Sequence, residues 1–327
     1  MAVKTLIEAI RDALREEMEQ RPNMIIMGED VGPRGGVFGV TDGLSKLFGP
    51  DRVIDTPLAE SSIAGIALGA AAAGLLPVAE IQFADFIHPA MNQIISEIAR
   101  IRYRSDNDWH APLVIRAPYG GGIHGALYHS QSIEAIFGHV PGLWVIIPSN
   151  PYDAKGLLRA AMRHPDPVLF LEHKGAYRLI KGDVPEGDYI VELGHCKVAR
   201  EGKDLTAVAW GMQTYRCLEA ADAMAKEGVS VEVIDVQTIS PLDRETILES
   251  VRKTGKVVIV YEDNRSGGWG AEIAASISEA VFEYLDGPIV RVTGPDIPAM
   301  PFNHAQEDFF MPNVTKITAA MQKLAAY

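Results

Sequence analysis

The chain has 327 residues, of which 47% are apolar and 22% charged, with 43 acidic against 30 basic side chains and a net charge of −13. That composition can bury a sizeable core, at roughly 150 residues per domain implies two domains or one large α/β domain, and excludes a disordered chain. The acidic balance argues against a nucleic-acid partner and favours small molecules or basic proteins, and the two cysteines, Cys196 and Cys217, are too few for a disulfide framework or zinc cluster and fit a reducing cytoplasm.

The first predicted element is an amphipathic helix. Val3, Leu6, Ile7, Ile10, Leu14 and Met18 recur at helical spacing, and Glu8, Arg11, Asp12, Arg15, Glu16 and Glu17 fill the remaining surface. It lacks the basic-then-apolar pattern of a signal peptide, so no targeting segment is expected. Strands are predicted at 24–27, 78–83, 113–116, 143–148 and 168–171, mostly apolar on both faces, as parallel strands covered by helices are. Helices predicted at 60–74, 86–103 and 151–162 alternate with them, punctuated by Pro57, Pro77, Pro112 and Asn150-Pro151. The longest uncharged apolar run, residues 63–76, is interrupted by Gly65, Gly69 and Gly74. A membrane span needs ~20 mostly large apolar residues, so this run is expected to be a tightly packed core helix, and no membrane partner is expected.

Between 173 and 203 the chain becomes richer in charge and glycine, and the domain boundary is placed near 190, giving domains 1–190 and 191–327. Beyond it, strands are predicted at 205–210, 231–236, 257–261 and 289–293, with helices at 213–227, 243–251, 270–284 and after Pro312. The alternation predicts an α/β protein, with a doubly wound, mainly parallel sheet in the first domain and a further α/β domain after it.

Three stretches are candidates for chemistry. In Asp55-Thr56-Pro57-Leu58-Ala59-Glu60-Ser61-Ser62 a carboxylate opens the small-residue helix. It serves either as a first-turn anion complementing the helix dipole, or as a poorly solvated acid of raised pKa suited to proton transfer. The second stretch, from Gly120-Gly121-Gly122 through His124 and His129 to Ser132, follows a strand and carries no charge before Glu134. That is where open α/β sheets place ligands. Ser132 reads as a helix cap, and a histidine such as His129 can donate a proton near neutral pH. Third, Gln82, Phe83 and Phe86 close the strand 78–83, where an aromatic ring is either core or a stacking surface for a planar ligand. Gly28-Glu29-Asp30 ends the first strand, and Gly267-Gly268-Trp269-Gly270 reads as a close-packing turn rather than an anion site. There is no P-loop, H-E-x-x-H, G-x-S-x-G or paired C-x-x-C.

Five ordered blocks carry a family resemblance: 27–32 (Met-Gly-Glu-Asp-Val-Gly), 55–60, 79–86, Tyr128-His129-Ser130-Gln131-Ser132, and Pro151-Tyr152-Asp153-Ala154-Lys155-Gly156. Together with Gly294-Pro295-Asp296-Ile297-Pro298-Ala299-Met300-Pro301, they resemble the beta subunit of the thiamin-diphosphate-dependent 2-oxo acid dehydrogenase component over essentially the whole chain. The stretch 124–132 looks like the branched-chain type more than the pyruvate type. The resemblance implies a transketolase-like pyrimidine-binding domain, a transketolase C-terminal domain and an alpha-two beta-two tetramer in the cytoplasm of a bacterium or archaeon. The Gly-Asp-Gly signature with a downstream Asn, which holds diphosphate and Mg2+ in thiamin enzymes, is missing from this chain. The resemblance therefore assigns the diphosphate and Mg2+ to the alpha subunit and the aminopyrimidine half of the cofactor to this chain. By motif position it makes Glu60 the partner of the pyrimidine ring nitrogen and Phe86 the stacking ring, with Leu58 and Gln82 lining the pocket. His129 would assist acyl transfer to the lipoyl group of the acyltransferase component. The basic subunit-binding domain of that component would dock on the C-terminal half, with Glu283 and Asp286 as contacts. Some members hold K+ through backbone groups before the last strand of the first domain. Here that segment reads Arg163-His164-Pro165-Asp166-Pro167, a departure from the pattern, and no metal ligand is assigned to this chain.

Overall fold

A computed structural model describes residues 1–327. Its contacts divide the chain into two compact units, 1–119 with 136–193, and 120–135 with 194–327. The single cut expected near 190 left 120–135 in the first domain. The structure groups this stretch with the C-terminal half, where the amides of Gly121, Gly122 and His124 find their acceptors.

The first unit opens with strand β1 (Ala2–Thr5) and helix α1 (Leu6–Gln20). The helix begins later than its apolar spacing predicted, and Val3 lies exposed on β1. A capping box sets the start: the Glu8 amide donates to Thr5 Oγ1 at 3.3 Å, and the Thr5 amide donates to Glu8 Oε2 at 2.7 Å. Then come β2 (Met24–Gly28), β3 (Val53–Asp55), α2 (Glu60–Ala72), β4 (Leu76–Glu80), β5 (Val114–Tyr119), β6 (Trp144–Ile146), α3 (Pro151–Met162), β7 (Val168–His173) and β8 (Lys181–Val184). The strands β6-β7-β5-β4-β2-β3 lie side by side in that order, all parallel, and β8 pairs antiparallel with β1.

Three local expectations change. Glu17 is buried and Glu16 part buried rather than both facing solvent: α1 packs on α3, where Lys155 donates to Glu16 at 2.7 Å, and Arg159 to Glu16 at 2.5 Å and Glu17 at 2.9 Å. Two buried cations on one helix need anions on its neighbour. The helix expected over 86–103 is broken into 3-10 turns at Ala84–Phe86 and His88–Ala90, a π-helical stretch Asn92–Ile98, and a short α-helix at Ile101–Arg104. The Pro89 ring would crowd the carbonyl four residues back in a continuous helix, and the Asp85 carbonyl meets His88 Nδ1 at 2.9 Å instead. Finally, α2 is core on one face only. Ile63, Ala64, Ala67 and Ala71 are buried, whereas Ser62, Ile66 and Gly69 face outward.

The second unit contains β9 (Lys197–Arg200), β10 (Leu205–Ala209), α4 (Met212–Lys226), β11 (Val231–Asp235), α5 (Arg244–Thr254), β12 (Val257–Asn264), α6 (Gly270–Val281), β13 (Val290–Gly294), α7 (His304–Phe310) and α8 (Val314–Ala325). Its sheet runs β13-β12-β10-β11-β9, antiparallel only between β11 and β9. Ala207, Val233 and Val258 from the strands pack with Cys217 and Met224 of α4 and Ile317 and Met321 of α8. The glycine turn before α6 is a packing device, because a β-carbon at Gly270 would run into the Tyr261 ring. No helix is long and apolar enough to cross a membrane.

Candidate active site

Register brings three loops of the first unit to one edge. Gly28 pairs with both Asp55 and Glu80, so the chain leaving β2, β3 and β4 emerges together at their C-terminal ends, where open parallel sheets bind ligands. The loops are tied to one another. The Thr56 amide donates to the Gly28 carbonyl at 2.9 Å, the Gly32 amide to Asp55 Oδ1 at 2.6 Å, and Gln82 Nε2 to Asp30 Oδ2 at 3.2 Å. Gly28 is required by close approach, since a β-carbon there would lie 2.7 Å from the Glu80 carbonyl oxygen. Asp30 holds a left-handed φ of 58°, a conformation that accumulates at functional edges.

Glu60 is the first residue of α2 and 9% exposed. No hydrogen bond or salt bridge within the chain engages its carboxyl. Glu29 is 8% exposed, and burial pushes its carboxyl up, with the charges of Glu60 and Asp30 adding to the effect. The edge therefore holds two nearly enclosed carboxyls whose charges interact. Phe86 ends the 3-10 turn after β4, part exposed, with its ring edge-on to Phe83 at 5.7 Å. Leu58 is 77% exposed and closes nothing within this chain.

Beneath this edge lies a charge network that the sequence did not announce. Arg116 on β5 is fully buried and donates bidentately to Glu172 at 2.6 and 2.7 Å and to Glu80 at 2.6 Å. The Tyr177 hydroxyl also donates to Glu172 at 2.6 Å. Burial and the Glu172 charge raise the Tyr177 phenol well above its usual pKa, which keeps it a donor. From Tyr177 a column of rings continues through Phe38 (5.3 Å) to Phe83 (5.5 Å) and on to Phe86. The detectable signal was a charge at 80, 116 and 172 within strands otherwise apolar on both faces.

In the second unit, His129 follows a 3-10 turn at Ala126–Tyr128 and is part buried. The backbone before it is held by carboxylates: the Gly121 amide donates to Glu262 Oε2 at 3.0 Å, and the Gly122 amide to Glu307 Oε1 at 2.9 Å. Gln213 Nε2 donates to Glu262 Oε1 at 2.9 Å, and Trp210 Nε1 to Glu134 Oε1 at 3.0 Å. The helix after this loop begins at Glu134, one residue later than a cap at Ser132 would place it. Ser130, Ser132, Glu262, Asp263, Met300 and Phe310 line a small cavity of about 110 Å³.

Burial, reinforced by the neighbouring Asp263 and Glu262 charges, pushes the Glu134 carboxyl up to about 8, and burial pushes Asp263 up to about 6. A folded-state pKa raised above the unfolded value of 4.5 contributes stability that is complete below that value and is lost as pH rises through about 8. Glu134→Gln keeps an acceptor for Trp210 and cannot ionise. Its melting temperature is expected to exceed that of the unsubstituted protein at about pH 9 and to match it at about pH 5. Equal shifts at both pH values would contradict this origin.

Outside these two places, Glu283 and Asp286 are exposed, close to Phe282 and Tyr284, which are also exposed. In the segment 163–167, Asp166 is held by Arg102 at 2.7 and 2.8 Å, and Arg163 by Glu17 at 2.5 Å and Asp188 at 2.8 Å. The segment's one carboxylate is thus already neutralised.

Two family descriptions match in order, the transketolase pyrimidine-binding domain over residues 3–180 and the transketolase C-terminal domain over 194–317. Among solved structures, a split gene transketolase described as an inactive beta4 tetramer matches with a TM-score of 0.79 at 28% identity, covering 98% of this chain and 97% of that one. The transketolase from Leishmania mexicana matches in fold, with a TM-score of 0.69 at 18% identity, covering 100% of this chain and 46% of that one. The class is therefore transketolase-like, with both domains in one chain. The 2-oxoisovalerate dehydrogenase subunit beta of Bacillus subtilis is 56% identical over the full length of both chains. The pyruvate dehydrogenase E1 component subunit beta of the same organism is 46% identical, again over both full lengths. The chain belongs to the family of beta subunits of thiamin-diphosphate-dependent 2-oxo acid dehydrogenase E1 components.

Proposed function

We propose that this beta subunit serves a branched-chain 2-oxo acid dehydrogenase, acting on acids such as 3-methyl-2-oxobutanoate and only together with an alpha subunit in an alpha-two beta-two tetramer. The observation that carries the reading is Glu60, a nearly enclosed carboxyl without a partner in its own chain, at the sheet edge where ligands bind. The greater identity to the 2-oxoisovalerate relative, 56% against 46%, supports the branched-chain substrate over pyruvate or acetoin.

Thiamin diphosphate supplies a nucleophilic carbon and an electron sink for decarboxylation of the 2-oxo acid. The residues at the edge fit its aminopyrimidine half. Glu60 holds and shares a proton with the ring nitrogen, and its enclosure keeps water from competing for that proton. Phe86 offers a ring face and Gln82 lines it, and Leu58, exposed in this chain, would complete the lining in the assembled tetramer. This chain carries no Gly-Asp-Gly signature for diphosphate and Mg2+, so both fall to the alpha subunit and the site is half built here. His129 assists transfer of the acyl group to the lipoyl group of the acyltransferase, whose basic binding domain meets the exposed acidic Glu283 and Asp286. The two free thiols, Cys196 and Cys217, support a cytoplasmic setting.

The test is dye-coupled oxidative decarboxylation by the chain co-purified with its alpha subunit, Mg2+ and thiamin diphosphate. Preference for 3-methyl-2-oxobutanoate over pyruvate, with no activity from the chain alone, is expected. Preference for pyruvate would overturn the substrate, and inactivity of a formed tetramer toward every 2-oxo acid would overturn the catalytic role.

A further inference from the structure

We propose that Glu307 is a positioning residue for His129, acting from α7 through the backbone of the loop between them; this rests on the assignment of His129 to lipoyl acylation. Glu307 is 1% exposed, and its carboxyl is turned to the loop. Oε1 accepts from the Gly122 amide at 2.9 Å and the His124 amide at 3.3 Å, while Oε2 faces His124 Nδ1. The His304 ring, from the start of the same helix, lies against the His124 ring at 3.4 Å between centroids. One buried side chain thereby fixes His124 by its backbone, with the imidazole beside its second oxygen.

The loop needs such a clamp. His124 and Ala126 both hold left-handed φ values, 56° and 55°, which side chains adopt only where the surroundings over-determine them. Gly121 is pinned on the other side, with its amide on Glu262 and its α-carbon so close to Met300 and Met311 that a β-carbon would lie 2.7 and 2.8 Å from their side chains. From His124 the constraint passes one residue along the chain. A β-carbon at Gly125 would lie 2.6 Å from the His129 carbonyl oxygen and 2.7 Å from the His129 β-carbon, so the backbone at 125 sets where residue 129 sits. Glu307, His124, Gly125 and His129 form a contiguous line of contact within the second unit. Displacing its first member moves its last.

The experiment uses the assembled enzyme and reads the rate of lipoyl-domain acylation divided by the rate of dye reduction. Glu307→Ala and Gly125→Ala are each expected to lower that ratio about tenfold, and Glu307→Gln, whose amide oxygen still accepts both loop N–H groups, to keep it within about threefold. In the His129→Ala background, Glu307→Ala should lower the ratio no further, as expected of residues acting through one another. Multiplying losses, or an unchanged ratio in both alanine variants, would overturn the proposal. If His129→Ala alone left the ratio unchanged, the role of His129 would fall and the positioning role with it. A lowered ratio in His129→Ala with intact ratios in Glu307→Ala and Gly125→Ala would remove the positioning role only. Should Glu307→Ala fail to assemble, Glu307→Asp decides instead: it keeps the charge but draws the carboxylate back from the Gly122 and His124 amides, so the ratio should still fall, and an unchanged ratio would overturn the proposal.

Discussion

Glu60→Gln is expected to lower dye-coupled turnover of the assembled enzyme by about a hundredfold to ten-thousandfold, the range lost when a positioned acid–base group is removed. Glutamine fills the same volume and can still meet a ring nitrogen, but it cannot pass a proton. The fold should hardly notice. A first-turn carboxylate contributes ~0.3–1 kcal/mol through the helix dipole, and its removal also relieves Glu29, whose carboxyl is raised by burial and, secondarily, by the charge of Glu60. The melting temperature of the variant is the control. Turnover within threefold of the unsubstituted enzyme, in a variant that melts normally, would remove Glu60 from the chemistry.

The largest effect on stability is expected from Arg116→Met. The guanidinium compensates Glu80 and Glu172 in a buried place, and removing one partner of a buried ion pair costs ~3–5 kcal/mol. The urea midpoint should fall accordingly, and changing Glu80 and Glu172 to Gln in the same chain should restore much of the loss, because uncharged partners no longer need the cation. A midpoint moved by less than ~1 kcal/mol in Arg116→Met would mean that water or a proton neutralises the carboxylates instead. The ring column from Tyr177 to Phe86 stands on this network, so the variant should also weaken thiamin diphosphate binding in the assembled enzyme.

Much of the architecture was legible because it is local. Runs such as 24–27 and 168–171 are apolar on both faces, and parallel strands covered by helices require that pattern. The strand Val53–Asp55 and the capping box at Thr5 and Glu8 were readable in principle, the second from its spacing alone. What failed was the assumption that charge means surface. Glu16 and Glu17 belong to a largely buried ion cluster because Lys155 and Arg159 face them from another helix, and no feature near residue 16 reports residue 159. The candidate site divides the same way. Glu60, Gln82 and Phe86 each sit just beyond a strand end and stand out in short motifs, whereas Glu262 and Glu307 act on the loop through amides far away in sequence. Glu262 alone left a trace, as a buried acid directly after the apolar run 257–261.

That distance has a meaning for how the molecule is made. The acceptors for Gly121 and Gly122 lie 141 and 185 residues downstream. At a synthesis rate of ~5–20 residues per second, roughly ten to forty seconds pass between the emergence of the loop and the emergence of Glu307. During that interval β5 already precedes the loop and β7 pairs with β5 soon after, while the glycine-rich segment between them has no anchor for its strained residues. Contacts of such separation close late because their loop entropy is lost before they return anything. The stretch that carries His129 is therefore among the last parts of the newborn chain to take shape, though it lies in the middle of its sequence.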